Sequence, residues 1–402
     1  MEQRQKDLAI CIVGSPASGD FRGPQNFVVQ FSKWLNHRSI EGIVIYGSLR
    51  KLVKVININD ISTMISEGEK STLIKHFPRI MRSLLFSFLS FLKIIHLNKK
   101  RQFSIIHAQD ANYGAMAAIA ASKLIHVPVV LQIHGINMGV IHLLIQPKWL
   151  ARLYRAYYRL LQKESMKRSD CVICVSEDNK RNLPTGKEIV IPMGVDTRSF
   201  QVTQDSADVH KELRIPEHAF TLGYVGALSA GKGLRLLLKS FYYTLQEMPQ
   251  GASTYLLIVG DGAEKKGLED LADKLGIRQY VRLTGFRTDV ARLLTVIDIF
   301  VFPSESEGSP IAILEAIAAG KAIIASDIPA IREIVRHGEE AILLNRHDVE
   351  ELKRAILLLY NNSDLKAKLG ERARERAKSY DIERVYGKIL GVYEELIHHG
   401  TK

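Results

Sequence analysis

Short apolar runs rich in β-branched residues recur along the whole chain and alternate with segments of helical length. Glycine, proline or serine bounds each run, which is typical of strands buried on both faces of a parallel sheet. Five runs lie in each half: LAICIVG, GIVIYG, FSIIHA, VPVVLQI and CVICVS, then TLGYVG, TYLLIVG, YVRLTG, DIFVFPS and KAIIAS. The pattern predicts an α/β fold with two doubly wound, Rossmann-like halves.

Length and one break in this pattern predict two domains. Single hydrophobic cores stop growing at roughly 250 to 300 residues, and this chain has 402. A predicted strand ends at Pro192, and the segment 201–212 that follows is polar and lacks periodicity. We therefore place the domain boundary within 189–200.

Composition narrows the class of protein. The chain is 46% hydrophobic and 24% charged, which describes a globular protein rather than a disordered or fibrous one. Its first apolar run, from Leu8, spans only about seven residues, too short for a signal peptide, so we predict a cytoplasmic protein. Cys171 and Cys174 form a CxxC pair, but no second cysteine pair completes a zinc site, and we predict no metal.

The net charge is +12, and the basic residues that produce it are unevenly distributed along the chain. Residues 70–103 contain eight lysines and arginines and no acidic residue, and they include the apolar segment PRIMRSLLFSFLSFLKII. A second segment, KWLARLYRAYYRLLQKESMKR, places a basic helical stripe beside large apolar side chains. The residues of that stripe and its neighbours are Arg152, Arg155, Arg159, Lys163, Trp149, Leu153, Tyr157 and Leu160.

Both segments fit peripheral docking on an anionic membrane surface. The uncharged part of the first, from Ser83 to Leu92, is too short to span a bilayer. The alternative is that the apolar faces pack on the sheet and the charges are solvated.

The stretch SESEGSPIAILEA sets two glutamates eight positions apart, directly after a predicted strand. Ser309 is a favourable N-cap, Pro310 is a favourable first helical residue, and Gly320 ends the predicted helix. Glu307 and Gly308 therefore lie at the carboxyl end of a strand and at a helix N-terminus, where open α/β sheets bind ligands.

The second glutamate, Glu315, falls on an apolar face of that helix. A carboxylate in such a place is costly unless it is paired or hydrogen-bonded, so it requires donors such as ribose hydroxyls. The alternative is structural: Glu307 complements the helix dipole and Glu315 meets an arginine.

A glycine-containing loop, GYVGALSAGKG, runs from a strand into a helix. Its glycines allow the backbone to approach a phosphate, and Lys232 supplies a positive charge. Gly226 to Lys232 nearly matches a P-loop, but Gly233 stands where the magnesium-binding hydroxyl would be. A plain strand-to-helix turn with a solvated lysine is the structural alternative.

In the first half, the strand VVLQI ends on His134, at the edge of the sheet where ligands bind. A lone histidine is more often structural, but this position favours function. The loop FRGPQN contains Gly23, which suits a close approach of a ligand.

Together these motifs resemble the family 4 glycosyltransferases of the GT-B fold. The resemblance runs through HAQDANYGAMAA, VPVVLQIHG, CVICVSE, IVIPMGVD and ILEAIAAGKAIIASDIPAIREIV, and its most specific element is the E-x7-E of Glu307 and Glu315. It implies two facing domains, 1–192 on the acceptor side and 193–380 for the nucleotide sugar, with the last helix, 381–402, crossing back to the first.

The resemblance further implies the reaction. A nucleoside diphosphate sugar would be the co-substrate, and the transferred sugar would keep its anomeric configuration without an obligatory metal. The acceptor would be a glycan or a lipid-linked molecule of polysaccharide or glycolipid biosynthesis, and nucleic acid would not be a partner.

Catalytic roles also follow from the resemblance. Glu315 would accept hydrogen bonds from the donor ribose, Lys232 would neutralise the diphosphate, and Glu307 would face the transferred sugar. His134 would contact that sugar from the other domain.

Four further positions would line the donor site. The backbone at Gly308, Ser309 and Pro310 would form the sugar and phosphate pocket, and Gly23 would let the first loop approach the diphosphate.

The chain departs from the family pattern at two positions. Ala227 stands where the family commonly has arginine, so diphosphate neutralisation would rest more heavily on Lys232, and Gln109 replaces a frequent second histidine. Two rival functions remain: a P-loop enzyme that hydrolyses nucleotides, and a nucleotide-sugar-binding protein without turnover, for which Ala227 is the reason.

Overall fold

The chain divides into two compact units, Met1–Pro192 with Tyr386–Lys402, and Met193–Val385. The structure is a computed structural model. It describes residues 8–14, 22–46, 54–58, 79–134, 148–181, 183, 185–201, 206–344 and 348–400.

The described part of the first unit contains a seven-stranded sheet. Its strands are β1 (Ala9–Val13), β2 (Glu41–Tyr46), β3 (Lys54–Asn57), β4 (Ile105–Ala108), β5 (Val129–Ile133), β6 (Cys171–Cys174) and β7 (Glu188–Val190). They lie in the order β3-β2-β1-β4-β5-β6-β7. All neighbours are parallel except β3, which pairs antiparallel with β2 at the edge.

Helices cover both faces of this sheet. They are α1 (Arg22–His37), α2 (Arg79–Arg101), α3 (Tyr113–Ile125), α4 (Lys148–Arg168) and the short α5 (Glu177–Arg181). The alanine-rich α3 packs closely on the strands, and Ile94 of α2 and Met166 of α4 join the same buried cluster. Because α2, α3 and α4 make successive right-handed crossovers, they lie side by side on one face.

The described part of the second unit contains a six-stranded, wholly parallel sheet. Its strands are β8 (Phe220–Val225), β9 (Thr254–Val259), β10 (Val281–Gly285), β11 (Ile299–Phe302), β12 (Ala322–Ser326) and β13 (Ala341–Leu344). Their order is β10-β9-β8-β11-β12-β13. The order reverses between β8 and β11, and such a switch point forms the ligand crevice of doubly wound sheets.

The helices of the second unit connect these strands. They are α6 (Ser206–Leu213), α7 (Leu234–Glu247), α8 (Lys265–Lys274), α9 (Val290–Leu294), α10 (Ile311–Ala318), α11 (Pro329–Arg332), α12 (Val349–Asn361) and α13 (Ser363–Ala377). The last helix, α14 (Ile382–Gly400), begins in the second unit and continues in the first from Tyr386.

Aromatic side chains fix α14 on the first unit. The ring of Tyr386 meets Phe27 and Phe31 of α1 edge-on, at centroid distances of 5.7 and 5.0 Å. Tyr393, about two turns further on, places its hydroxyl 2.5 Å from Nδ1 of the buried His107. The face of the sheet opposite α2, α3 and α4 is thus closed by α1 and α14.

The strand pattern of the sequence is confirmed, since all ten apolar runs are strands. Neither β3 nor β13 was predicted, and both lie at the edges of their sheets. The segment 201–212, which lacks periodicity in the sequence, is helical from Ser206, where α6 buries Val209 and Leu213 one turn apart. Within the described ranges, no helix combines the length and apolar composition that crossing a bilayer requires.

Candidate active site

Two loops meet at the switch point of the second sheet. The loop 226–233 follows β8 and the loop 303–310 follows β11, so both leave the carboxyl edge of neighbouring strands. Lys232 Nζ lies 2.6 Å from Glu307 Oε1, which joins the two loops by an ion pair. Both side chains are largely withdrawn from water, with exposures of 23% and 12%.

The hydroxyl of Ser304 completes this contact. Ser304 is buried, and its Oγ donates a hydrogen bond of 2.6 Å to the same Oε1 of Glu307. Glu307 is therefore held in one orientation by two donors, and its other oxygen, Oε2, accepts no hydrogen bond from any described residue. The sequence could not identify Ser304, because SESEGS offers three serines at similar positions.

A buried tyrosine supports the first loop from below. Tyr224, near the end of β8, lies beneath Gly226, stacks on Phe302 at 5.7 Å and donates a hydrogen bond of 3.1 Å to the carbonyl of Ala227. Burial, together with the nearby negative charge of Glu307, raises the pKa of Tyr224 far above its usual value. Its hydroxyl thus stays protonated and acts as a donor that shapes the loop.

Gly233 is required by the way the two loops cross. Its backbone is left-handed, with φ of 67°, and a Cβ at this position would lie 2.0 Å from the carbonyl oxygen of Pro303. Gly231 is also left-handed, but the space around it is open, and its carbonyl accepts a hydrogen bond from the amide of Glu305. A serine or threonine at 233, as in a P-loop, does not fit this crossing.

The GDG motif after β9 supports the same loop. A Cβ on Gly260 would lie 1.8 Å from the carbonyl of Gly226, and one on Gly262 would lie 2.3 Å from that of Leu228. The amide of Leu228 donates to the carbonyl of Asp261. These glycines are explained by backbone packing between neighbouring loops, without a dinucleotide.

Glu315 lies on α10, and its carboxylate has no ion pair or hydrogen bond with any described residue. The side chain is partly exposed, while its surroundings are apolar. Burial raises the pKa of Glu315 to about 7, because no nearby cation or donor offsets the loss of water. The structural alternative in which an arginine pairs with Glu315 is therefore wrong within the described chain.

The start of α10 differs by one residue from the prediction. Pro310 is the N-cap, and Ile311 is the first helical residue, because Pro310 has an extended ψ of 97°. Its carbonyl accepts the first helical hydrogen bond, from the amide of Ile313. Ser309 therefore precedes the cap, Gly308 lies in the same loop, and Gly320 follows the helix with a left-handed φ of 66°.

In the first unit, His134 follows β5 at the carboxyl edge of the sheet. Its Nε2 lies 2.8 Å from Gln109 Oε1, and its ring packs edge-on against Phe27 at 5.5 Å. Burial lowers the pKa of His134 to about 3, so the ring is neutral near pH 7. With Nε2 donating to Gln109, Nδ1 carries a lone pair.

Gln109 and Gly23 complete the predicted residues of the first unit. Gln109 occupies the position of the family's frequent second histidine and orients the ring of His134. Gly23 lies in the first turn of α1, next to the segment 15–21, which is outside the described residues. Its predicted approach to a diphosphate stays a prediction.

Comparison with known proteins identifies the family. The model "Glycosyl transferases group 1" matches residues 205–376, and the model "Glycosyltransferase Family 4" matches residues 22–199. Together these matches span almost the whole chain. The chain belongs to the group 1, family 4 glycosyltransferases.

Proteins named as glycosyltransferases are similar to this chain in sequence, and solved structures are similar to it in fold. This glycosyltransferase is 26% identical to EpsD of Bacillus subtilis, assigned to the same enzyme class, over 75% of this chain and 79% of EpsD. It is 24% identical to the UDP-Gal:alpha-D-GlcNAc-diphosphoundecaprenol alpha-1,3-galactosyltransferase of Escherichia coli, over 78% and 81% of the two chains. The structure of Anabaena HepE in complex with UDP-glucose aligns with a TM-score of 0.75 at 17% identity, covering 96% and 100%.

These matches confirm the predicted fold, two parallel-sheet α/β domains of the GT-B type, and the predicted enzyme class. The P-loop alternative loses its basis, because Gly233 is fixed by the crossing with Pro303. The switch point of the second sheet can hold an anion beside Lys232, and Glu315 can accept hydrogen bonds from hydroxyl groups.

Completing the P-loop pattern should damage the fold of this glycosyltransferase. Gly233→Ser forces a side chain against the Pro303 carbonyl and should cost about 3 kcal/mol or more of unfolding free energy. The matched control, Gly231→Ser, carries only the left-handed strain of about 1 kcal/mol. Thermal unfolding measures both, and an equal loss in the two variants would contradict the crossing of the loops.

Proposed function

We propose that this glycosyltransferase moves a sugar from a nucleoside diphosphate sugar to a lipid-linked or glycan acceptor and retains the anomeric configuration. One observation carries the proposal: the Lys232–Glu307 ion pair at the switch point is followed, on the next helix, by a Glu315 carboxylate that has no partner among the described residues. In such a donor, the diphosphate would meet the cation of Lys232, and the sugar would meet the oriented carboxylate of Glu307. The ribose would meet the carboxylate of Glu315.

The donor ribose is assigned to Glu315. An ionised carboxylate accepts hydrogen bonds from both ribose hydroxyls, and this would offset the cost of its apolar surroundings. HepE, with its UDP-glucose complex, supports a nucleotide sugar as the donor class. We extend this to a uridine donor as the first to be tested.

The diphosphate is assigned to Lys232. Its ammonium is paired with Glu307, so an arriving diphosphate would compete with that carboxylate for the same cation. Because Ala227 provides no second charge, Lys232 and backbone amides of the loop would stabilise the negative charge on the leaving oxygen. Lys232 would therefore contribute to the chemical step as well as to binding of the donor.

Glu307 would act on the transferred sugar. As the diphosphate leaves, the sugar acquires positive charge at its anomeric carbon, and an oriented carboxylate stabilises that charge. Ser304 holds Oε1 throughout, and Oε2 would point to the sugar. Gly308, Ser309 and Pro310 would line the pocket with their backbone.

His134 would contact the sugar as a neutral hydrogen-bonding group. Its low pKa excludes an imidazolium near neutral pH, so its contribution is orientation and not charge. Gln109 fixes which ring nitrogen carries the proton. We assign His134 to sugar positioning in the first unit.

The acceptor is proposed by analogy with relatives. The name of the Escherichia coli galactosyltransferase describes an acceptor linked to diphosphoundecaprenol. A lipid-linked acceptor of polysaccharide or glycolipid biosynthesis would bring the enzyme to the inner face of the membrane, as a cytoplasmic protein. That location stays a prediction.

Donor binding and product stereochemistry test the proposed function. Thermal unfolding is followed with UDP, GDP, ADP and ATP, each with EDTA and with magnesium, and the sugars of the preferred nucleotide are then screened. We expect one diphosphate to stabilise the fold equally under both conditions, and proton NMR to show an α-linked product from an α-linked donor. Stabilisation by ATP with magnesium alone, or donor binding without transfer, would favour the rival functions.

Replacing Glu307 should separate catalysis from binding. Glu307→Gln is expected to lower transfer by at least about 100-fold, because the developing positive charge loses its carboxylate. Nucleotide diphosphate affinity should stay equal or rise, because Lys232 is released from its ion pair. The control is Glu305→Gln, an exposed residue of the same loop, and a matching loss of nucleotide affinity in Glu307→Gln would defeat the assignment.

The ribose assignment predicts a pH-dependent affinity. Since burial raises the pKa of Glu315 to about 7, binding at lower pH must first remove a proton, and affinity should fall about tenfold from pH 8 to pH 6. A nucleotide sugar is the ligand, because its phosphates do not titrate in this range, and neither does His134. Calorimetry should find Glu315→Gln weaker and flat with pH, and an unchanged pH profile in that variant would refute the role.

A further inference from the structure

The outward face of α2 is apolar along its first half. Five large side chains at positions i, i+3, i+4, i+7 and i+11 have exposures between 41% and 57%. They are Met81, Leu84, Leu85, Phe88 and Leu92. The inward face is formed by other residues, such as Phe86 and Ile94, so packing on the sheet does not account for the exposed row.

The outward face of α4 carries a similar row. Its members, with exposures between 41% and 61%, are Trp149, Leu153, Tyr157 and Leu160. Here too the inward positions are separate, with Ala151 and Met166 buried. The alternative that these apolar residues pack on the sheet is therefore wrong for the exposed rows of both helices.

The two rows face the same side of the first unit. Both helices pack beside α3 on one face of the sheet, and both lead back to the amino ends of strands. At 23 and 21 residues, they are about 34 and 31 Å long, against about 17 Å for the five-residue strand β5. Their first halves, which carry the rows, therefore lie towards the carboxyl edge, where His134 also lies.

Basic side chains border the apolar rows. On α4, Arg152, Arg159 and Lys163 are exposed along one side of the row, and none forms an ion pair with a described residue. The one acidic residue of α4, Glu164, pairs with Arg168. On α2 the outward row continues into the exposed Lys99, and the helix contains no acidic residue.

We propose that the outward faces of α2 and α4 form one docking surface for an anionic lipid bilayer. Apolar rows bordered by unpaired cations match a membrane interface, in which side chains enter the acyl boundary and arginines meet lipid phosphates. A purely apolar protein partner would leave these cations without a counterpart. Since neither helix is long and apolar enough to cross the bilayer, both lie on its surface.

Docking by this surface would place the first unit, to which the proposed function assigns the acceptor, at the membrane. The rows lie towards the carboxyl edge of the sheet, so docking would bring that edge close to the interface, where the head group of a lipid-linked acceptor is found. His134 itself packs against α1, on the opposite face of the sheet. This consequence rests on the proposed function, whereas docking itself requires neither donor nor turnover. Vesicle binding is therefore measured without donor, and transfer is measured separately.

The chain offers a built-in reporter of docking. It contains two tryptophans: Trp149 lies in the α4 row with 61% exposure, and Trp34 is buried with 4%. Full-length protein is mixed with vesicles of phosphatidylcholine alone or with phosphatidylglycerol at about one third. We expect the anionic vesicles to shift Trp149 emission to the blue, to protect it from neutral acrylamide, and to quench it when the lipids are brominated.

Matched variants separate the contribution of the basic side chains from that of the apolar row. Arg152→Glu with Arg159→Glu should weaken vesicle binding about 25-fold or more, since each basic residue contributes about fivefold. Leu153→Ser with Leu160→Ser should weaken binding about tenfold or more, also at high salt. The controls are Leu358→Ser and Lys239→Glu, exposed residues of the second unit.

Each outcome decides the proposal. Loss of co-sedimentation in both surface variants, with unfolding temperature, donor-induced thermal shift and both controls unchanged, supports it. Undiminished co-sedimentation of either surface variant overturns it, and so does equal binding to neutral and anionic vesicles. A dimer in solution that dissociates in Leu153→Ser with Leu160→Ser also overturns it, in favour of a second copy of the chain on this surface.

Discussion

The ion pair between Lys232 and Glu307 is the contact on which the candidate site of the second unit depends. It joins the loops after β8 and β11, and it brings two charges largely out of water. Such a pair is stable only where geometry is good and further hydrogen bonds are made. Ser304 supplies one of these, and both side chains of the pair keep a small exposed fraction.

Close backbone packing is what makes this contact possible. Gly226 and Gly260 approach each other, and Gly233 passes the carbonyl of Pro303, at distances that no side chain would allow. Tyr224 then fills the space beneath the first loop and fixes its carbonyl. A loop supported in this way holds its donors in place before the substrate arrives, which favours stabilisation of charge in the transition state.

The candidate site residue of the first unit follows a different principle, because the imidazole of His134 is uncharged near pH 7. His134 is held by Gln109 on one side and by Phe27 on the other, and Phe27 is itself packed against Tyr386 of α14. The last helix therefore supports the ring that is assigned to the sugar. On the other face of the same sheet, α2 and α4 present the proposed membrane surface, so one unit combines sugar positioning with attachment.

The sequence by itself determined the features that depend on local patterns. Ten strands, the carboxyl-edge position of His134 and the spacing of Glu307 and Glu315 all follow from periodicity and from glycine, proline and serine at the ends of runs. Tertiary structure decided the rest. The strand order brings Lys232 to Glu307 and decides that Ser304, among three serines, binds its carboxylate. The packing of α2 and α4 decides that their apolar rows are exposed. Both depend on contacts between residues that are distant in the sequence.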